Sequence, residues 1–167
     1  MIDTRTDAVV GEIADTPGVH GIAFAPDLGR GFVSNGRADN VSIVDLMTLK
    51  TIGHVATGKN PDAILYDPMH HEIYAFNGRG QSVTVLAAAT GSVVATIPLG
   101  GKPEFAQVDG GRVFVNIEDR NEVAVIDTAT HAVSARWPIA PGEEASGMDI
   151  DREHHRLFLG CSNAMMI

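Results

Sequence analysis

The 167-residue chain has a single cysteine, Cys161, one tryptophan, two tyrosines and no long apolar run. One thiol excludes an internal disulfide framework, and Cys161, in an apolar stretch, reads as a small buried hydrophobe. No segment approaches the ~20 apolar residues that a membrane-spanning helix needs. Met1-Ile2-Asp3-Thr4-Arg5 lacks the apolar core of a signal peptide. Basic residues are scarce: 12 Lys and Arg stand against 21 Asp and Glu, a net charge of −9. Phosphate binding is driven by clustered Lys and Arg, so this balance argues against nucleic acid as a partner.

The signatures of catalysis are also missing. There is no G-x-S-x-G elbow, no Walker loop, no HxH or HExxH spacing, and no base near Cys161 in sequence. No catalytic residue, metal ligand set or cofactor motif follows from the residues. No window carries apolar residues at helical spacing with caps, so no helix is predicted.

What the chain does have is turns and a period. Gly101 to Ile139 reads as four short strands: Phe105–Val108, Val113–Ile117, Val123–Asp127 and Ala132–Trp137. Gly110-Gly111, the polar stretch Glu118 to Glu122, and Thr128-Ala129-Thr130-His131 separate them, the pattern of an up-and-down sheet. The unit recurs. Ile2-Asp3-Thr4-Arg5-Thr6, Val44-Asp45-Leu46-Met47-Thr48 and Ile126-Asp127-Thr128-Ala129-Thr130 are one turn, with Leu86-Ala87-Ala88-Ala89-Thr90 a degenerate copy. Positions 3, 45, 87 and 127 are separated by 42, 42 and 40 residues. Four strands repeating at this period predict an all-β chain of β-propeller blades. The recurring Asp3, Asp45 and Asp127 are read as structural, accepting turn amides.

Full blades are predicted over about 14–55, 56–97 and 98–137, with partial blades at 1–13 and 138–167. Inner strands are placed at Gly21–Ala25, Ala63–Tyr66, Phe105–Val108 and Gly147–Ile150, and an outer strand at Ala8–Ile13. Small residues at Gly21, Ala63 and Gly147 are expected where blades crowd the axis. Phe105, at the equivalent position, is expected to plug the channel.

The pattern Val113-Phe114-Val115-Asn116 followed by Val123-Ala124-Val125-Ile126-Asp127-Thr128 resembles the YVTN-type β-propeller repeat of surface-layer-type propellers. Phe32-Val33-Ser34-Asn35 and Tyr74-Ala75-Phe76-Asn77 are similar copies, and the resemblance covers nearly the whole chain. It implies the propeller fold and an exported or periplasmic setting. Should the protein be an enzyme, it implies lactonase-like or oxidoreductase-like chemistry, although no residue identifies either.

Symmetry nominates a binding site. The residue before each inner strand is His20, Asp62, Glu104 or Ser146, at steps of 42, so all four aim at one axis mouth. Neighbouring loops add Lys59, Lys102, Arg79 and Arg120. The expected function is non-catalytic binding of a small ligand or protein at this mouth; the alternative is a metal-assisted hydrolase or oxidoreductase using the same mouth. His70-His71 and His154-His155 read as surface turn residues on the opposite face.

Ile2-Asp3 resembles the end of a third strand and Met165-Met166-Ile167 the beginning of one. A blade with bare edges and faces needs covering. The chain is therefore expected to be about half of a seven- or eight-bladed ring, its partner a second copy joined head to tail into eight blades or the missing blades of a longer chain, with closure of one chain as a four-bladed ring the remaining possibility. The charge carries its own prediction. Fluorescence anisotropy at physiological ionic strength should show no association with duplex DNA; micromolar binding falling steeply with salt would contradict it.

Overall fold

Asp45 shows why strands stop where they do. Its Oδ1 accepts hydrogen bonds from the amides of Met47 (3.1 Å) and Thr48 (2.7 Å) and from the Thr48 hydroxyl (2.8 Å). Asp127 repeats the device with the Thr130 amide and hydroxyl. These bonds, Thr48 amide first for Asp45 and Thr130 hydroxyl first for Asp127, hold both carboxyls below the usual carboxylate range. The turns close on a residue in the left-handed region, Leu49 (φ 61°) and His131 (φ 51°); Gly91 (φ 74°) serves in the degenerate copy.

The computed structural model describes residues 1–167 and is all-β apart from two single 3₁₀ turns, Pro26–Leu28 and Glu118–Arg120. Its strands are β1 (Ile2–Asp3), β2 (Ala8–Val9), β3 (Val19–Ala25), β4 (Arg30–Asn35), β5 (Asn40–Asp45), β6 (Thr51–Ala56), β7 (Pro61–Asp67) and β8 (Glu72–Asn77). There follow β9 (Ser82–Ala87), β10 (Val93–Pro98), β11 (Pro103–Asp109), β12 (Arg112–Ile117), β13 (Glu122–Asp127), β14 (Ala132–Pro138), β15 (Gly147–Asp151) and β16 (Arg156–Gly160). They make three antiparallel four-stranded meanders, β3–β6, β7–β10 and β11–β14, and two two-stranded sheets, β1–β2 and β15–β16. The sheets stand side by side along their inner strands β3, β7, β11 and β15.

The two central strands of each four-stranded sheet are buried on both faces, because the sheet lies between neighbours. All six residues of β8 are buried. One core, with Phe32, Ile43, Ile73 and Leu86, joins the first and second four-stranded sheets. A second joins Tyr74, Phe76 and Leu99 to Val113 and Ile126, and a third joins Phe114 and Val125 to Met148 and Leu159. Between the second and third sheets the buried Glu72 accepts the Tyr74 hydroxyl (3.1 Å) and meets His131 Nε2 at 2.9 Å, so no carboxylate is buried unpaired.

Four expectations change. The outer strand expected at Ala8–Ile13 shortens to Ala8–Val9, because only β1 is there to pair with it. Cys161 follows β16 rather than lying in it and is half-buried. A Cβ on Gly147 would meet nothing within 4 Å, since no inner strand stands beyond β15. Asn116 does not match Asn35 and Asn77: opposite Val123, it shares the register of Ser34 (opposite Val41) and Phe76 (opposite Val83).

β1–β2 hydrogen-bonds to no other sheet, so the blades form an open arc. At Gly21 the crowding is real: a Cβ there would lie 3.2 Å from Ile64 Cγ2 and 3.5 Å from the Asp62 carbonyl. Gly21→Leu should lower stability by about 1–3 kcal/mol in chemical denaturation. An unchanged midpoint would contradict the packing of β3 against β7.

Candidate functional site at the axis mouth

The residues entering the inner strands converge. His20, Asp62, Glu104 and Ser146 line one cavity of about 290 Å³, together with Ile22, Ile64, Phe76 and Phe105. Its rim is polar and its wall apolar. Phe105 is part of that wall, 44% exposed, and does not plug the channel. A larger hollow of about 620 Å³ opens toward the other face and shares Ile22 and Ile64 with the first.

Backbone contacts explain why the mouth residues stand together. The Gly21 amide donates to Ser34 Oγ (3.0 Å), and that hydroxyl donates to the Asp62 carbonyl (2.7 Å). Ser34 thus locks β3 to β7 next to His20 and Asp62. Asn116, in the Ser34 register, repeats this two boundaries further, between the third sheet and β15: its Nδ2 donates to the Gly147 carbonyl (3.1 Å), beside Ser146. The His20 ring lies over Gly36, where a Cβ would come within 2.8 Å of its Cδ2. Ser34 and Asn116 stand in the sequence only as letters of the repeat, with no role attached; their one signal is a polar residue within the apolar run of the second strand, and Gly36, in the turn after β4, carries none.

Across the cavity rim, His20 Nδ1 meets Asp62 Oδ1 at 2.9 Å. Glu104 Oε1 receives Lys102 Nζ at 2.5 Å, and Glu118 Oε2 receives the same ammonium at 2.5 Å. Flanked by Glu104 first and Glu118 second, Lys102 has its pKa pushed well above the ordinary lysine range. No three His, Cys, Asp or Glu side chains stand close enough together to hold a metal.

The four flanking cations do not line the cavity. Lys59 is drawn to Asp39 (2.6 Å), and Lys102 is spent on its two glutamates. Arg79 is exposed and makes no ion pair. Arg120 turns over Gly101 into a shallow hollow beside Glu122 and Arg136. Proximity in the loops did bring them to one face, but nearby carboxylates or solvent claim them first. The histidine pairs are turn furniture: His70 meets Asp67 at 2.8 Å and His154 meets Asp151 at 2.7 Å, in matching Asp-x-x-His turns.

No family model and no curated protein sequence matches the chain. Solved structures do. The hydrazine synthase of Kuenenia stuttgartiensis superposes with a TM-score of 0.79 at 24% identity, over 91% of this chain and 45% of that one. The dihydro-heme d1 dehydrogenase NirN, in complex with DHE, gives 0.72 at 13% identity over 93% and 38%. A computationally designed protein, Ika4, gives 0.75 at 11% identity over 95% and 97%. The chain spans less than half the length of the two natural proteins. Identities this low establish the fold, and the fold is that of a β-propeller.

Ser34 offers the local test. Ser34→Ala leaves the Gly21 amide and the Asp62 carbonyl without their shared partner, so it should cost about 1–3 kcal/mol in denaturation. No loss would show that the hydroxyl does not hold the mouth together.

Proposed function

We propose that the chain is a non-catalytic binding module, a YVTN-type propeller segment that takes a small polar ligand at the axis mouth. The observation that carries this is the convergence of His20, Asp62, Glu104 and Ser146 on one cavity with an apolar wall. Ligand sites commonly combine such a wall with a few convergent polar groups. With two carboxylates and one imidazole on the rim, the cavity favours a ligand that donates hydrogen bonds or carries positive charge. Asp62, held by His20, and Glu104, held by Lys102, would receive that group through their second oxygens, and Ser146 would add a hydroxyl.

A metal-assisted hydrolase is the second reading, because the same mouth gathers a histidine and two carboxylates. Against it, His20, Asp62 and Glu104 do not come close enough together to form a common ligating point.

Thermal-shift measurements with small amines, beside elemental analysis and titration with zinc and calcium, separate the two. An amine at 100 times its Kd should stabilise the wild type by about 2.7 kcal/mol, and Asp62→Asn with Glu104→Gln should abolish the shift. A stoichiometric divalent ion lost in the same variant would replace binding with the metal reading.

A further inference from the structure

We infer that the open β16 edge is a docking site for the β1–β2 hairpin of a second copy of this chain, so that two arcs close head to tail into one eight-bladed ring. The inference rests on strand register. In the full sheets the first residue of the second strand faces the last residue of the third: Arg30 faces Asp45 and Arg112 faces Asp127, with Glu72 and Ala87 at the degenerate copy. One rung further in, the pairs are apolar or small: Gly31 with Val44, Val113 with Ile126 and Ile73 with Leu86.

On β16 this ladder is only begun. Leu159 and Ile167 exchange both backbone bonds, at 2.9 and 3.1 Å, Gly160 bridges Met166, and the Cys161 amide reaches the Met165 carbonyl. Phe158, Leu157 and Arg156 continue along β16 with no strand on that side. Continuing the register places a β1 aspartate, Asp3, opposite Arg156 and Ile2 opposite Leu157. That restores the Arg–Asp rung of the first and third sheets and the apolar rung beside it. Asp3 already builds the same turn as Asp45 and Asp127, accepting the Arg5 amide at 2.8 Å.

The surfaces are complementary. Beside the open edge lies a groove of about 340 Å³, walled by Phe114, Val123, Trp137 and Leu157, with Arg112 and Arg156 outnumbering Asp109 among its charged residues. Trp137 lies over Phe114 with ring centroids 5.6 Å apart and is still 41% exposed. The β1–β2 hairpin and Val10 after it expose Ile2, Val9 and Val10, and the segment carries Asp3, Asp7 and Glu12 against the terminal ammonium and Arg5, which pairs with Asp3. An apolar, acidic hairpin fits an apolar, basic groove. Its own arc offers β1–β2 no other strand. Each arc holds three full and two half sheets, so two arcs give eight blades, a number propellers commonly have. The axis mouth then gains the second copy's His20, Asp62, Glu104 and Ser146.

By the alternation of an antiparallel ladder, Leu159 and Ile167 form a hydrogen-bonded pair, so Arg156 and Asp3 would form a non-hydrogen-bonded pair, whose Cα atoms approach most closely. Asp3→Cys with Arg156→Cys, in a Cys161→Ser background, should oxidise to a covalent dimer on a non-reducing gel and revert with reductant. Light scattering of the unmodified protein at low micromolar concentration should give twice 17.6 kDa, which keeps the inference testable should the cysteine variant misfold. A disulfide within one chain, thiols that stay free in the folded variant, a ladder beyond the dimer, or an unmodified mass of one chain would each overturn it.

Discussion

A blade has no inside of its own. Its strands are short and apolar on both faces, so every sheet depends on the sheet beside it, and the inner strands are where that dependence is concentrated. β3, β7, β11 and β15 lie in contact along the axis; Ser34 bonds the first sheet to the second and Asn116 bonds the third to β15. The small Gly21 exists to allow this approach. Because the same contact brings the entry loops together, packing and site are one consequence of one constraint. The polar mouth is what remains where apolar strands meet water.

That dependence also explains the polar groups in the interior. Glu72, His131 and Tyr74 join the second and third sheets within otherwise apolar walls, each satisfied by the others. Burial, with the Glu72 carboxylate beside it, pushes the Tyr74 phenol far above its ordinary range, so it remains a hydrogen-bond donor to that carboxylate. On the mouth face, cations are balanced locally: Lys59 by Asp39 and Lys102 by two glutamates. Local pairing leaves the rim the second oxygens of Asp62 and Glu104, the His20 imidazole and the Ser146 hydroxyl, and that residue of chemistry defines what the mouth can hold.

The period of the Asp-Thr turns was enough to read the strands and their grouping, since turn chemistry is local and a repeat fixes spacing. The same period placed His20, Asp62, Glu104 and Ser146 on one cavity, because symmetry acts on positions and needs no knowledge of side chains. It failed where side chains compete. Arg79 and Arg120 share the loops but not the cavity, and Phe105 lines a wall where size alone suggested a plug. It failed again at Asn116: the letters Val-Asn matched Val33-Ser34-Asn35 by their asparagine, whereas the ladder aligns Asn116 with Ser34. Only the hydrogen-bond register distinguishes the two. Gly147 looked crowded by analogy with Gly21, yet Gly21 is crowded by the next inner strand, β7, and no inner strand stands beyond β15.

The Leu157 amide tests the dependence of every blade on a covered edge most directly. Leu159 donates its amide to Ile167, so by the alternation along β16 the Leu157 amide points toward the same open edge. Hydrogen exchange followed residue by residue should find it protected to the degree of the Val113 amide at micromolar concentration, with protection falling on dilution. An amide that exchanges freely at every concentration would contradict the account, since the arc would then be stable with its edge bare.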